Sequence, residues 1–385
     1  MQKKRNNISL SIRKGFNKWF SSANFDMFFI IVVMMLLSIG LVMVFSASFA
    51  NAFFTNNDSY FYIKKQLIFA VIGLVAMLGI SKINYNMLRA FAYPIYFVTL
   101  ALLILVLFIG QRDVDQVKRW IDLGVFNFQP SELAKISVII LVSLFISVNY
   151  SKMKTFKYGI LIPGLITLIA AGLVIIEPHL SGAILVCFVG LILMIVGGSN
   201  LKFFVALTVA ATGVLIYVIT NTQYMANRIS IWQNPASDPL GKGFQTLQSL
   251  YAIGSGGFFG LGLGGSRQKY QYIPMPQNDY IFSIVCEELG FIGAIIIIIL
   301  FALLIYRGFV IAWSAPDKFG ALLVVGIISQ VAIQTLLNIA VVTNTIPVTG
   351  ISLPFFSYGG SSLTFLLAEM GIVLSVSRYS RLAKG

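Results

Sequence analysis

The chain has 385 residues, of which 58% are hydrophobic and only 10% charged, with a mean hydropathy of +0.89 and a formal net charge of +14. Soluble domains carry about 25% charged residues, so this composition excludes a pair of soluble domains and describes a polytopic membrane protein. Two cysteines in apolar segments, Cys187 and Cys286, and a single histidine, His179, leave neither a disulfide framework nor a transition-metal ligand set.

Residues 1–24 are polar and basic, and the apolar stretch behind them is long enough to span. That pattern marks a cytoplasmic tail rather than a cleaved leader. Ten spans are expected: Phe25–Ser48, Lys65–Ile80, Leu88–Gly110, Glu132–Val148, Tyr158–Ile176, Leu180–Gly197, Leu201–Thr220, Tyr280–Tyr306, Phe319–Val342 and Leu363–Ser377. The expected fold is an all-α polytopic integral membrane protein, with a ten-helix membrane domain over 25–378 and a C-terminal tail over 379–385. Most of the 27 lysines and arginines fall in the tails and the even-numbered connections, which puts both termini in the cytoplasm. The positive charge then serves orientation and contact with anionic lipid, not nucleic acid.

The outer connections include three long ones: 111–131, a large loop over 221–278, and the Pro/Gly-rich 343–362. They carry Arg112, Lys118, Arg119, Arg228, Lys242, Arg267 and Lys269, against the orientation rule. Each cation taken singly is equally well a solvated or headgroup-contacting residue. Together they favour an anionic ligand. Trp120 and Trp232 argue that these loops are ordered.

In "QPSELAK", Ser131 reads as a helix N-cap, Glu132 falls in the first turn, and Lys135 lies three residues on, so the two charges share a face and can pair. The bland alternative is a self-neutralised helix end. In "GSGGFFGLGLGGSRQK" the formal GxGxxG at Gly260, Gly262 and Gly265 lacks the strand and helix that a dinucleotide fold requires. It is either a backbone cradle for phosphate or a close-packed re-entrant segment, and the Ser-Arg-Gln-Lys behind it favours the cradle. In "QNDYIFSIVCEELG", Asp279 stands at the mouth of the eighth span and Glu287 and Glu288 lie inside it. Adjacent helical residues point about 100° apart, so these two glutamates are not expected to face one site. At least one is expected to be protonated or hydrogen-bonded between helices. Gln330, Gln334 and Asn338 form one polar stripe, suited to interhelical hydrogen bonds or to a hydrated cavity.

The sequence contains no nucleotide motif, so an enzyme of this kind takes a substrate that is already activated. A lipid-borne donor with a phosphate leaving group fits cations gathered at the outer face. A hydroxyl acceptor needs a general base, for which Asp279 is the candidate. One carboxylate acting on a pre-activated donor implies displacement with inversion, by analogy with glycosidases. No cofactor is required, and a divalent cation is not deducible.

The stretches "KRWIDLGVFNFQPSELAK", "NPASDPLGKGFQTLQSLYAIGSGGFFGLGLGGSRQK", "NDYIFSIVCEELGFIG" and "LPFFSYGGSSL" closely resemble the FtsW/RodA/SpoVE (SEDS) family, from about Phe25 to Arg381. The resemblance implies a ten-helix glycosyltransferase that polymerises lipid II into β-1,4 glycan strands at the bacterial cytoplasmic membrane, at the division septum for the FtsW branch. It also implies partners: lipid II, the nascent glycan strand, a class B penicillin-binding protein and other division proteins. The family's essential aspartate falls on Asp279, its Glu and Lys on Glu132 and Lys135, and its Arg-Trp on Arg119 and Trp120. Arg267, Gln268, Lys269 and Ser361 are further candidates for substrate contact. Two departures stand out. Glu177-Pro178-His179 replaces the usual "QPD", and "PMPQND" lacks the Glu and His usual before the aspartate. Two rival readings remain from the residues alone. A lipid II flippase would use the intramembrane charges, including Glu369, and a non-catalytic scaffold would only activate the penicillin-binding protein.

Overall fold

A computed structural model describes residues 25–112, 118–122, 124, 127–205, 229–239, 241 and 243–380. Among these residues, eight helical segments are long and apolar enough to cross a membrane. They are α1 (Met27–Asn56), α2 (Phe61–Lys82), α3 (Met87–Ile109), α4 (Pro130–Val148), the segment Lys157–Ile176, which enters α5 (Ile162–Ile176) through a π turn, α8 (Ile281–Trp313), α9 (Lys318–Val342) and α10 (Gly360–Tyr379). The shorter apolar α6 (Leu180–Val196) lies between α5 and the large loop. The expected span Leu201–Thr220 lies outside the described residues beyond Val205, as do Arg228 and Lys242.

Burial separates inner from outer helices. The apolar windows of α4, α9 and α10 are 72% buried, against 28% for α2 and α3. The three inner helices are also those that carry Glu132, Lys135, Gln330, Gln334 and Glu369. Hydrocarbon does not solvate such groups, so they face protein. Around this centre α10 packs along α2, α8 packs on α9 and α1, and α4 and α6 pack on α9.

The connection after α3 is a small antiparallel sheet of β1 (Gln111–Arg112), β2 (Lys118–Asp122) and β3 (Asn127–Phe128), with Trp120 opposite Gln111 and Ile121 opposite Phe128. Lys118 donates to the carbonyls of Leu107 and Phe108, so it satisfies the C-terminal end of α3. Ser131 is not the cap expected of it. Gln129 is the N-cap of α4, Pro130 occupies the first turn, and no side chain caps the helix. Proline at that position loses no hydrogen bond, and the helix starts two residues earlier than expected.

The large loop contains α7 (Phe244–Ser255), which lies on α8, followed by the glycine-rich segment. Helix α8 is broken at Gly290, which adopts φ 66° and ψ −170°. The break strands backbone groups, and the glycine-rich segment takes them up. Leu261 and Gly262 N–H donate to the carbonyls of Glu287 and Glu288 (2.9 and 3.0 Å), and Phe291 and Ile292 N–H donate to Gly257 and Phe258 (2.9 and 3.2 Å). A Cβ on Gly260 would lie 2.2 Å from the Glu288 carbonyl, and one on Gly290 2.3 Å from the Gly260 nitrogen. Glycine is required here by backbone meeting backbone, so the segment is close-packed structure and not a phosphate cradle.

Candidate active site

Helices α4, α6, α8 and α10 begin, and α9 ends, at the same side of the bundle. Their starts surround a cavity of about 500 Å³. Four helix N-termini with partly free N–H groups make this end favourable to negative charge. The cavity gathers Arg119 and Trp120 from β2, Ser131, Glu132 and Lys135 from α4, His179 before α6, Asp279 before α8, Gln330 and Gln334 from α9, and Glu369 from α10.

Asp279 is held by its backbone. Asn338 Nδ2 donates to the carbonyls of both Asp279 and Ile351, each at 2.7 Å, so one amide joins the loop before α8 to the loop before α10. Ser357 Oγ donates to the Asn278 carbonyl (2.8 Å), and Tyr358 N–H to Gln277 (2.8 Å). From α2, buried Gln66 accepts from Gly359 N–H and donates to the Ser357 carbonyl. The carboxylate itself faces Gly350, whose φ of +70° suits glycine and where a Cβ would lie 3.2 Å from Asp279 Oδ2. Burial pushes the Asp279 carboxyl up to about 6, and the Arg119 guanidinium opposes that rise.

Lys135 Nζ lies 2.9 Å from Glu132, and both side chains are nearly sealed from solvent. Ser362 Oγ also donates to this pair, at Glu132 Oε2 (3.3 Å), an oxygen that Lys135 meets too. Deeper in the cavity, Gln330 Nε2 donates to both oxygens of Glu369 at 3.0 Å. The polar stripe therefore performs both functions left open by its spacing: Gln330 and Gln334 line the cavity, while Gln330 and Asn338 join elements. Arg119 Nη2 donates to the Pro178 carbonyl (2.6 Å), and its Nε is buried without a partner. Beside it Glu177 is fully buried, with both carboxyl oxygens unpartnered. Burial pushes that carboxyl up to about 8 against the pull of Arg119, so the neutral form predominates at pH 7.

Some expected residues stand elsewhere. Lys269 is not at the cavity. Its Nζ lies 2.9 Å from Glu288 Oε1 and 2.7 Å from the Gly264 carbonyl, and both charged side chains are sealed. Ser46 of α1 also donates to Glu288 (2.6 and 2.7 Å). Arg267 is exposed, and its backbone N–H donates to Glu287 Oε1 (2.9 Å). Gln268 is half-buried and its Oε1 has no partner. Ser266 Oγ donates to Glu287, while its N–H donates to Glu288 (3.4 Å). Glu287 and Glu288 therefore do meet one segment, contrary to the helical-wheel expectation, because the 264–269 turn wraps far enough to reach both. Ser361 is buried with an unpartnered Oγ and does not line the cavity, whereas Ser362 does. The sequence alone gives no role to His179 or Ser362, and Glu369 enters only the flippase reading. Of these, only the membrane-embedded acid Glu369 carried a usable signal. Among the described residues, no group of three or more His, Cys, Asp and Glu could hold a metal ion.

The sequence pattern of FtsW, RodA and SpoVE, described as cell cycle proteins, matches residues 26–382. Stage V sporulation protein E of Bacillus subtilis is 44% identical over 92% of this chain and 98% of its own. A probable peptidoglycan glycosyltransferase FtsW of Trichlorobacter lovleyi is 40% identical over 95% and 96%. Among solved structures, a peptidoglycan synthase complex that coordinates polymerization and crosslinking superposes with a TM-score of 0.77 at 31% identity, covering 92% of this chain and 98% of that one. The rod shape determining protein RodA of Thermus thermophilus gives 0.67 at 26%, covering 93% and 98%.

Proposed function

The chain belongs to the FtsW/RodA/SpoVE family, and from that premise we propose that it is a peptidoglycan glycosyltransferase that polymerises lipid II at the outer face of the cytoplasmic membrane during division, with Asp279 as general base. The observation that carries this reading is the cavity itself. One carboxylate held near neutrality, one guanidinium and one buried acid–base pair converge where four helices begin.

In this reading the 4-hydroxyl of the N-acetylglucosamine in incoming lipid II attacks the anomeric carbon of the strand's terminal N-acetylmuramic acid. Asp279 takes the hydroxyl proton as the new bond forms, and undecaprenyl diphosphate leaves from the opposite side of the carbon, with inversion. Arg119 is the cation that steadies the departing diphosphate, with Lys135 deeper and partly neutralised by Glu132. Arg267 and Lys269 are no longer needed for that role. Gln330, Gln334 and Trp120 bound the space that the sugars occupy. The solved complex that couples polymerization to crosslinking supports a class B penicillin-binding protein as partner. The lysine and arginine asymmetry supports cytoplasmic termini and an outward cavity. A cysteine at Ser237 should then react with an impermeant thiol reagent from outside the cell, and one at Lys154 should not. The reverse pattern would remove the outward cavity.

The pH dependence tests the base. Asp279 accepts a proton only when ionised, so polymerisation should rise with pH through about 6 and fall away below it. Arg119 holds that value down, so Arg119→Gln should move the acid limb of kcat/KM to higher pH, in addition to lowering the rate. A limb unmoved by Arg119→Gln would separate Arg119 from Asp279.

A further inference from the structure

His179 stands where the family pattern has an aspartate, and no role follows from the resemblance. Its ring lines the cavity. Nδ1 meets Ser131 Oγ at 3.1 Å and Gln129 Nε2 at 3.4 Å. An amide nitrogen can only donate, so Nδ1 is the acceptor and the ring proton resides on Nε2. Gly182 leaves room for the ring: a Cβ there would lie 2.7 Å from both Cε1 and Nδ1. Among the described residues, Nε2 has no hydrogen-bond partner, yet it is not sealed from solvent either. The ring is thus clamped on one edge and offers an N–H on the other. Arg119 adjoins it, because its guanidinium donates to the carbonyl of the preceding residue, Pro178.

We propose that His179 is a substrate-binding residue whose Nε2–H donates to a diphosphate oxygen of the lipid-linked donor, beside Arg119. This rests on the glycosyltransferase reading above. A guanidinium and a neutral N–H side by side suit a dianion better than either alone, since the first supplies charge and the second direction. Burial and the neighbouring Arg119 push the imidazole down to about 4, so it stays a neutral one-proton donor across the working pH range. An aspartate in the same place can only accept a hydrogen bond, so this contact is a property of this chain's variant of the site.

The test measures binding apart from turnover. In full-length protein carrying Asp279→Asn, the affinity for lipid II and for undecaprenyl diphosphate is compared with that for undecaprenyl monophosphate, in nanodiscs. His179→Ala should weaken binding of the two diphosphates about tenfold, as loss of one hydrogen bond to a charged group does, and change the monophosphate less. His179→Gln, whose Nε2 reaches toward the place of the ring Nε2, should recover most of the loss. His179→Asn, whose amide ends near the place of Nδ1, should not. Should the alanine variant fold poorly, the glutamine and asparagine pair carries the same comparison. Equal affinity across all variants, or equal weakening of monophosphate and diphosphate, would overturn the assignment. Undiminished polymerisation by Asp279→Asn alone would instead remove the base and leave the binding result standing.

Discussion

Asp279→Asn is expected to lower glycan strand synthesis by about 10²-fold or more while lipid II binding and assembly with the partner are retained. The substitution keeps the size of the side chain and its capacity to hydrogen-bond. It also leaves intact the backbone contact from Asn338, because that bond ends on the Asp279 carbonyl. The negative charge is removed, and with it the basicity. The surroundings make basicity the relevant property: burial holds the carboxyl near 6, close to the pH at which it must accept a proton, and Gly350 leaves the oxygen uncovered. Asp279→Glu should keep a trace of activity, since the added methylene pushes the carboxylate toward Gly350. The assay is gel analysis of strands made from lipid II by the purified protein with its partner. An Asn variant that polymerises near the parent rate would remove Asp279 as base, and a parent that only moves lipid II across vesicles would favour the flippase reading.

Lys269→Met is expected to destabilise the protein by about 3–5 kcal/mol, because it leaves the Glu288 carboxylate buried without its cation. Ser46 and the Ser266 N–H remain as donors, but neither carries charge. The double variant Lys269→Met with Glu288→Leu should recover most of that stability, since replacing a whole buried ion pair by apolar groups is often nearly neutral. It should also retain polymerisation. Thermal unfolding in detergent and the strand assay on the same preparations separate two functions for Lys269. A single variant as stable as the parent but inactive, with a double variant also inactive, would return Lys269 to the diphosphate. Recovery of both stability and activity fixes Lys269 as the clamp that holds the glycine-rich segment against α8.

The sequence by itself determined the bundle and most of the charged and polar side chains that line its cavity. Eight of the ten expected spans meet a helical segment long and apolar enough to cross, and a ninth meets the shorter α6, because twenty apolar residues in hydrocarbon have no other way to satisfy their backbone. The i, i+3 spacing alone placed Glu132 and Lys135 on one face, and they pair at 2.9 Å. Asp279, Arg119 and Trp120 were legible as motif residues, and they line one cavity. What local pattern does not contain is how a loop folds back. Arg267 and Lys269 carried the right charge on the expected side, but the break at Gly290 decided their fate. It opens backbone groups that the 257–262 segment satisfies, and that docking carries the following turn onto Glu287 and Glu288, away from the cavity. His179 was unreadable for the same reason. Its ring acquires meaning from Ser131 and Gln129, some fifty residues earlier in the chain. Hydrophobic length and helical spacing are local quantities, fixed by the chemistry of a few turns. Which buried charge finds which partner is a long-range quantity, fixed by the cost of leaving a charge unpaired where water cannot reach it, a cost that Glu177 avoids by staying neutral.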